Sequence, residues 1–175
     1  MSHTLLVAVD GSDNSMRAAG LAGELAGKLD APLTILHVLM HGRPVDELAR
    51  MAEVEHLLSG LVTRAAPTEG SLPRTAQELR QLNEAQVVHL NMISRIGDMV
   101  LERAAAEAAD AGARDVSTRT NTGDCADAIL ESAGAVGADM IVVGSRGLGQ
   151  VRGLLLGSVS HKVAQNAGCT VVTVK

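Results

Sequence analysis

The sequence predicts an α/β fold built on a parallel sheet, and three observations carry that expectation. Short apolar runs at Leu33 to Leu39, Met140 to Val143 and Thr170 to Val174 are continuous rather than alternating, as in strands covered on both faces. Segments with apolar residues at helical spacing separate them, so strand and helix alternate along the chain. The passage from the first strand to the first helix is written Asp10-Gly11-Ser12-Asp13, which is turn and N-cap chemistry.

In order, Thr4 to Val9 is the opening strand, and Ala18, Leu21, Ala22, Leu25 and Leu29 mark a helix that Asp30-Ala31-Pro32 ends before the strand Leu33 to Leu39. These elements form a βαβ unit. Between Met40 and about Ile93 no strand signal occurs, and the stretch 41–93 reads as a helical excursion within a single domain, 1–175. Pro44 to Val62 has helical spacing, residues 66–73 are a turn-rich break, and a second helix runs from Thr75 towards Ala111. Its Leu79, Leu82, Gln86, His89, Ile93, Ile96 and Val100 fit either an amphipathic helix laid on the sheet or a coiled-coil seam. A weak strand at Val116 to Thr120, a helix from Cys125 to Ala135, and the last two strands complete the pattern.

Composition excludes several functions. Hydrophobic residues make up 46% of the 175 and charged ones 20%, which suits a globular domain with a sizeable core. A net charge of −5 argues against nonspecific nucleic-acid binding, which uses a broad basic surface. There is no Phe, Trp or Tyr, so base stacking, aromatic cages and aromatic membrane anchors are all out of reach. No apolar run approaches the roughly 20 residues that span a bilayer, and the N-terminus lacks a basic leader, so the expected compartment is the cytoplasm, away from membranes. Cys125 and Cys169 lack CxxC spacing and read as small core fillers. The six histidines make no recognisable metal site, and His37, inside a strand, reads as a core histidine.

The segment Gly144-Ser-Arg-Gly147-Leu-Gly149-Gln-Val-Arg-Gly153-Leu-Leu-Leu-Gly157-Ser158-Val-Ser160 reads as an anion cradle between the Met140 strand and a helix. Glycines let backbone N–H groups approach a ligand, and a helix beginning near Ser158 turns its positive dipole end there. After Asp139 the chain contains no acidic residue, while Arg146, Arg152, Lys162 and Lys175 are present. An ordinary P-loop is excluded because Gln150 and Val151 stand where Lys and Ser/Thr are required, and Arg152 replaces the third glycine of a dinucleotide fingerprint. If the first strand and the Met140 strand are neighbours where strand order reverses, Asp10 and the glycine segment face one crevice. Asp10 also reads as an N-cap, and Ser158 and Ser160 as caps of their own helix. No nucleophile elbow or Ser/His/Asp set is visible, so no catalytic residue is assigned.

The pattern Gly144-x2-Gly147-x9-Gly157-Ser158 resembles that of the universal stress protein family, in its ATP-binding branch. The likeness extends over nearly the whole chain: Asp10 after the first strand, His37-Val38, Gly123, Ala138 to Gly147, Leu156 to Ser160 and the closing Cys169 to Val174. It implies an open, Rossmann-like sheet of five parallel strands in the order 3-2-1-4-5 with helices on both faces. It further implies that ATP, with Mg²⁺ or Mn²⁺, binds in the crevice. Asp10 would then meet ribose or a phosphate-bound metal, Val38 and Val143 would border adenine, and Gly144 and Gly147 would contact ribose and phosphates. Gly157, Ser158, Val159 and Ser160 would complete the phosphate cup, and Arg146 would add charge. The implied function is a stress-response signalling module, homodimeric through the C-terminal edge strand. The alternative is a slow ATPase, or self-phosphorylation at Ser158 or Ser160, in the same cleft. The chain departs from the family pattern where Cys125 replaces a common proline, and in the long 41–93 excursion, a place for an unknown protein partner.

Overall fold

The computed structural model describes residues 3–39, 94–147 and 156–175. The chain divides into two compact units, Met1–His41 with Gly97–Lys175, and Gly42–Ile96. The first carries the sheet. The helices expected at Pro44 to Val62 and 75–93, the break at 66–73 and the glycine-segment residues 148–155 lie outside the described residues.

Five strands form one parallel sheet: β1 (Leu5–Val9), β2 (Leu33–Leu39), β3 (Val116–Thr122), β4 (Met140–Gly144) and β5 (Thr170–Val174), in spatial order β3-β2-β1-β4-β5. Order therefore reverses at β1, whose neighbours are β2 and β4. Leu5 pairs with Leu33 on one side and Met140 on the other, so the three central strands start level; β1 and β4 end together and β2 runs two residues further.

The described helices are α1 (Asp13–Leu29), α2 (94–110), α3 (Cys125–Val136) and α4 (Ser158–Asn166). Leu6, Leu36, Val38, Ile141 and Val143 form one cluster with Ala126, Ile129 and Ala133 of α3 and Val163 of α4. Alternation sends Leu5, Val7, Val9, Leu33, Ile35 and Val142 to the opposite face, where α1 lies. Both faces are covered, which is why the central strands read as unbroken apolar runs.

In α1 the sequence expectation needs correcting. The buried face is Ser15, Met16, Ala18, Ala19, Ala22, Gly23 and Ala26, which includes the expected Ala18 and Ala22, whereas Leu29, also expected on the apolar stripe, is 41% exposed. The cause is close approach to α2. A Cβ on Gly23 would strike the backbone of Ala108, and one on Gly27 the backbone of Gly112. A core without rings is filled here by bringing helix backbones together rather than by larger side chains. At α3, Asp124 is the N-cap and Cys125 the first helical residue, a position whose N–H has no intrahelical partner and where proline is well tolerated. Cysteine there keeps the helix start intact.

Candidate functional site: the crevice at the carboxyl end of β1 and β4

Asp10 follows β1 and opens a tight loop. Its Oδ1 accepts hydrogen bonds from the Ser12 amide at 3.0 Å and the Ser12 hydroxyl at 2.6 Å. Gly11 has φ +88°, a left-handed conformation that favours glycine, and this lets the chain double back over so short a span. Ser12, not Asp10, is the N-cap of α1, its hydroxyl oxygen accepting from the Ser15 amide at 3.3 Å. Asp10 braces the cap.

Across the strand-order reversal, β4 ends in Gly144 and leads into Ser145, Arg146 and Gly147. A Cβ on Gly144 would lie 3.1 Å from the Asn14 carbonyl carbon and the Ser15 amide nitrogen, so β4 runs tightly against the first turn of α1. A Cβ on Gly147 would collide with Asp10 Oδ2. The two loops that the sequence sets on one crevice do meet, and they meet at Asp10 and Gly147. Arg146 is exposed beside them.

The start of α4 returns to the same loop. The Gly157 amide donates to the Ser145 carbonyl at 2.7 Å, and the Ser160 hydroxyl donates to that carbonyl and to Gly157 O, both at 3.0 Å. Ser145, which sequence reasoning did not single out, is therefore the anchor of the loop between β4 and α4. Its amide also donates to Val174 O at the end of β5, at 2.6 Å. All these contacts run through its backbone, a role that no side chain advertises. The Ser160 hydroxyl proton is committed to holding the loop. Ser158 is exposed and Val159 half-buried at the helix start, where the N-cap Gly157 has no side chain to offer the first-turn amides and the first turn holds no acidic residue.

Val38 and Val143 lie on one sheet face, 7% and 3% exposed, within the cluster that α3 and α4 cover, and Val159 packs against it. Lys162, counted in the sequence among the cations of the anion-favouring region, points elsewhere. Its ammonium sits 3.1 Å from Asp124 and 2.8 Å from Asp127 at the start of α3. Hydrogen bonds to Asp127 and Asp124 push its pKa up.

His37 is 4% exposed, and its Nδ1 donates to the Val9 carbonyl at 2.8 Å. Burial pushes its pKa below the ordinary 6.5, against the opposing pull of that hydrogen bond and of the Asp10 charge. It is a buried, satisfied histidine. Among the described residues no group of three or more His, Cys, Asp or Glu side chains is placed to hold a metal ion. Cys125 and Cys169 are not joined in a disulfide. No helix among the described residues is long and apolar enough to cross a membrane.

Comparison with known proteins accords with this geometry. The model of the universal stress protein family matches residues 1–175. Universal stress protein YxiE of Bacillus subtilis is 35% identical over 176 residues, covering 100% of both chains. Universal stress protein Rv1636 of Mycobacterium tuberculosis is 33% identical over 171 residues, covering 98% of this chain and 94% of its own. Among solved structures, a universal stress protein in complex with cAMP superposes with a TM-score of 0.60 at 27% identity, covering 99% of this chain and 96% of its own.

Proposed function

This chain belongs to the universal stress protein family, and from that premise we propose that it is an ATP-binding module of the stress response, cytoplasmic and homodimeric, whose output depends on nucleotide occupancy. The observation that carries the reading is the meeting of Asp10 with Gly147 where β1 and β4 part, beside an α4 start that has no side-chain cap. A carboxylate next to a helix start without a side-chain cap suits a ligand with hydroxyls or a cation at one end and phosphates at the other. The cAMP complex of a structural relative supports an adenine nucleotide as the guest. In this reading Gly144 and Gly147 approach ribose and phosphate, and the Ser158 and Val159 amides take the terminal phosphates. Arg146 adds charge from the rim, Val38 and Val143 back the adenine, and the Gly157 and Ser160 contacts keep the cup in shape.

The homodimer is supported by the contrast between the sheet's two edges. β3 exposes Ser117, Thr118, Arg119 and Thr120, polar and charged groups that discourage pairing, whereas β5 is Thr-Val-Val-Thr-Val with its valines only half-buried. A second copy of the same strand fits that edge.

The test is an equilibrium titration of the full chain with ATP, ADP, AMP and cAMP, with and without Mg²⁺. With no Trp or Tyr, bound adenine is seen in the near ultraviolet almost without protein background. Saturable ATP binding is expected, and folded protein that binds no adenine nucleotide removes the proposal. In light scattering, truncation after Gly168 should give monomer or insoluble protein, and an intact dimer refutes the β5 interface.

A further inference from the structure

In the sequence, Gly147 reads as a place where backbone approaches phosphate, yet in the fold it meets a carboxylate of its own chain. A Cβ at this position would overlap Asp10 Oδ2, whereas among the described residues a Cβ on Gly157 would meet nothing nearer than the Ser145 carbonyl oxygen at 3.4 Å. Backbone conformation does not explain the glycine, because Gly147 is not among the described glycines with positive φ, which are Gly11, Gly112, Gly123 and Gly137. Nor can Asp10 swing aside without loss. Its Oδ1 holds both the amide and the hydroxyl of Ser12, and Ser12 caps α1. Rotating the carboxylate breaks the brace under that cap.

We propose that Gly147 is a positioning residue for Asp10: its missing side chain leaves room for the carboxylate to stand in one orientation, as an acceptor for a ribose hydroxyl or a phosphate-bound cation. The proposal rests on the nucleotide-binding reading and adds to it a steric interlock between the β1 and β4 loops. A methyl group at 147 pushes Oδ2 away, pulls Oδ1 off Ser12, and disturbs both the acceptor and the start of α1. Nucleotide affinity and fold stability are then linked through one contact.

A double-mutant cycle on the full chain tests this, using Gly147→Ala, Asp10→Ala and the double variant, each read by urea midpoint and by ATP affinity. Gly147→Ala alone should lower the midpoint and weaken ATP binding about tenfold, while in the Asp10→Ala background the loss of affinity should shrink to about threefold, the remainder being approach of the ligand to this backbone, and the midpoint should stay in place. Equal losses in both backgrounds overturn the interlock and leave the glycine to ligand approach. Asp10→Asn keeps the shape without the charge, so the Gly147→Ala penalty should persist there, and its disappearance overturns the steric account. If the parent chain binds no ATP, the nucleotide-binding reading fails by itself. The midpoints still decide the interlock: additive effects refute it and non-additive ones uphold it.

Discussion

Of the described helices that begin at the carboxyl end of this sheet, α3 and α4 treat their first-turn amides in opposite ways. At α3, the Asp124 carboxylate accepts from the Ala126 and Asp127 amides at 3.1 and 3.2 Å, and Lys162 reaches across from α4 to neutralise it. At α4, the N-cap is Gly157, which has no side chain to offer, and the first turn is without acidic residues. One helix supplies its own anion; the other leaves its positive end to the surroundings. Lys162 sharpens the contrast, because α4 contributes its cation to α3 and keeps only backbone N–H groups at its own start. An electropositive site here depends on amides and the dipole more than on side-chain charge.

The most direct way to break this contrast is to give α4 the cap that α3 has. In Gly157→Asp, φ of −72° suits an L residue and the new Cβ meets ordinary contact distances of 3.4 Å and more, so the fold accommodates it. The carboxylate would accept from the amides of the first turn, which have no side-chain cap. ATP affinity should fall at least about a hundredfold as the new charge competes with phosphate, while unfolding free energy stays level or rises by as much as about 1 kcal/mol. Calorimetric titration beside urea unfolding checks both signs, and unchanged affinity would show that phosphates do not sit at α4.

The converse change, at α3, should touch stability and spare binding. Asp124→Ala removes the cap and frees Lys162, so the urea midpoint drops and the Ala126 and Asp127 amides lose protection in hydrogen exchange. Asp124→Asn keeps an equally good capping oxygen and loses only an exposed ion pair, so it should stay close to the parent. Both variants should hold ATP affinity to within about twofold, as expected of a site separate from the crevice. A marked fall in affinity for either would mean that the two helix starts act as one site.

How much of this was legible depends on which atoms carry each feature. The bounds of β2 and β5 follow from their apolar runs, and the crevice from the Asp10 loop and the spaced glycines. The strand order entered only through family resemblance. The inner face of α1 was legible only in part, with Ala18 and Ala22 buried as expected and Leu29 exposed, because the count of apolar positions passed over Gly23 and Gly27. Their purpose is to let α2 approach, and a tertiary partner is invisible to local pattern. Lys162 looked like part of the cradle because like charges clustered along the chain, yet the side chain turns to Asp124 and Asp127. Ser145 was missed because its carbonyl and amide do the binding, and every residue but proline has both.

Acid separates the two helix starts by the smallest effects, in two windows. His37 titrates first. Burial holds its native pKa below 6.5, so between that lower value and 6.5 the unfolded chain binds the proton and the native chain does not. Its contribution is complete above 6.5 and fades as pH falls towards the native value, a loss centred on β1 and β2 that weakens both helices alike. The urea midpoint should therefore decline as pH falls below 6.5, and much of that slope should vanish in His37→Gln. Asp124 follows. Hydrogen bonds from the Asp127 amide and the Lys162 ammonium hold its pKa below the usual 3.8, so the cap is at full strength above 3.8 and is lost only as pH drops through the depressed native value. In that second window, hydrogen exchange should speed up at the first turn of α3 and not specifically at that of α4, which has no carboxylate to protonate. Selective acid loosening of the α4 start would show that its amides are held by a titrating group after all, and the contrast between the two helices would fail.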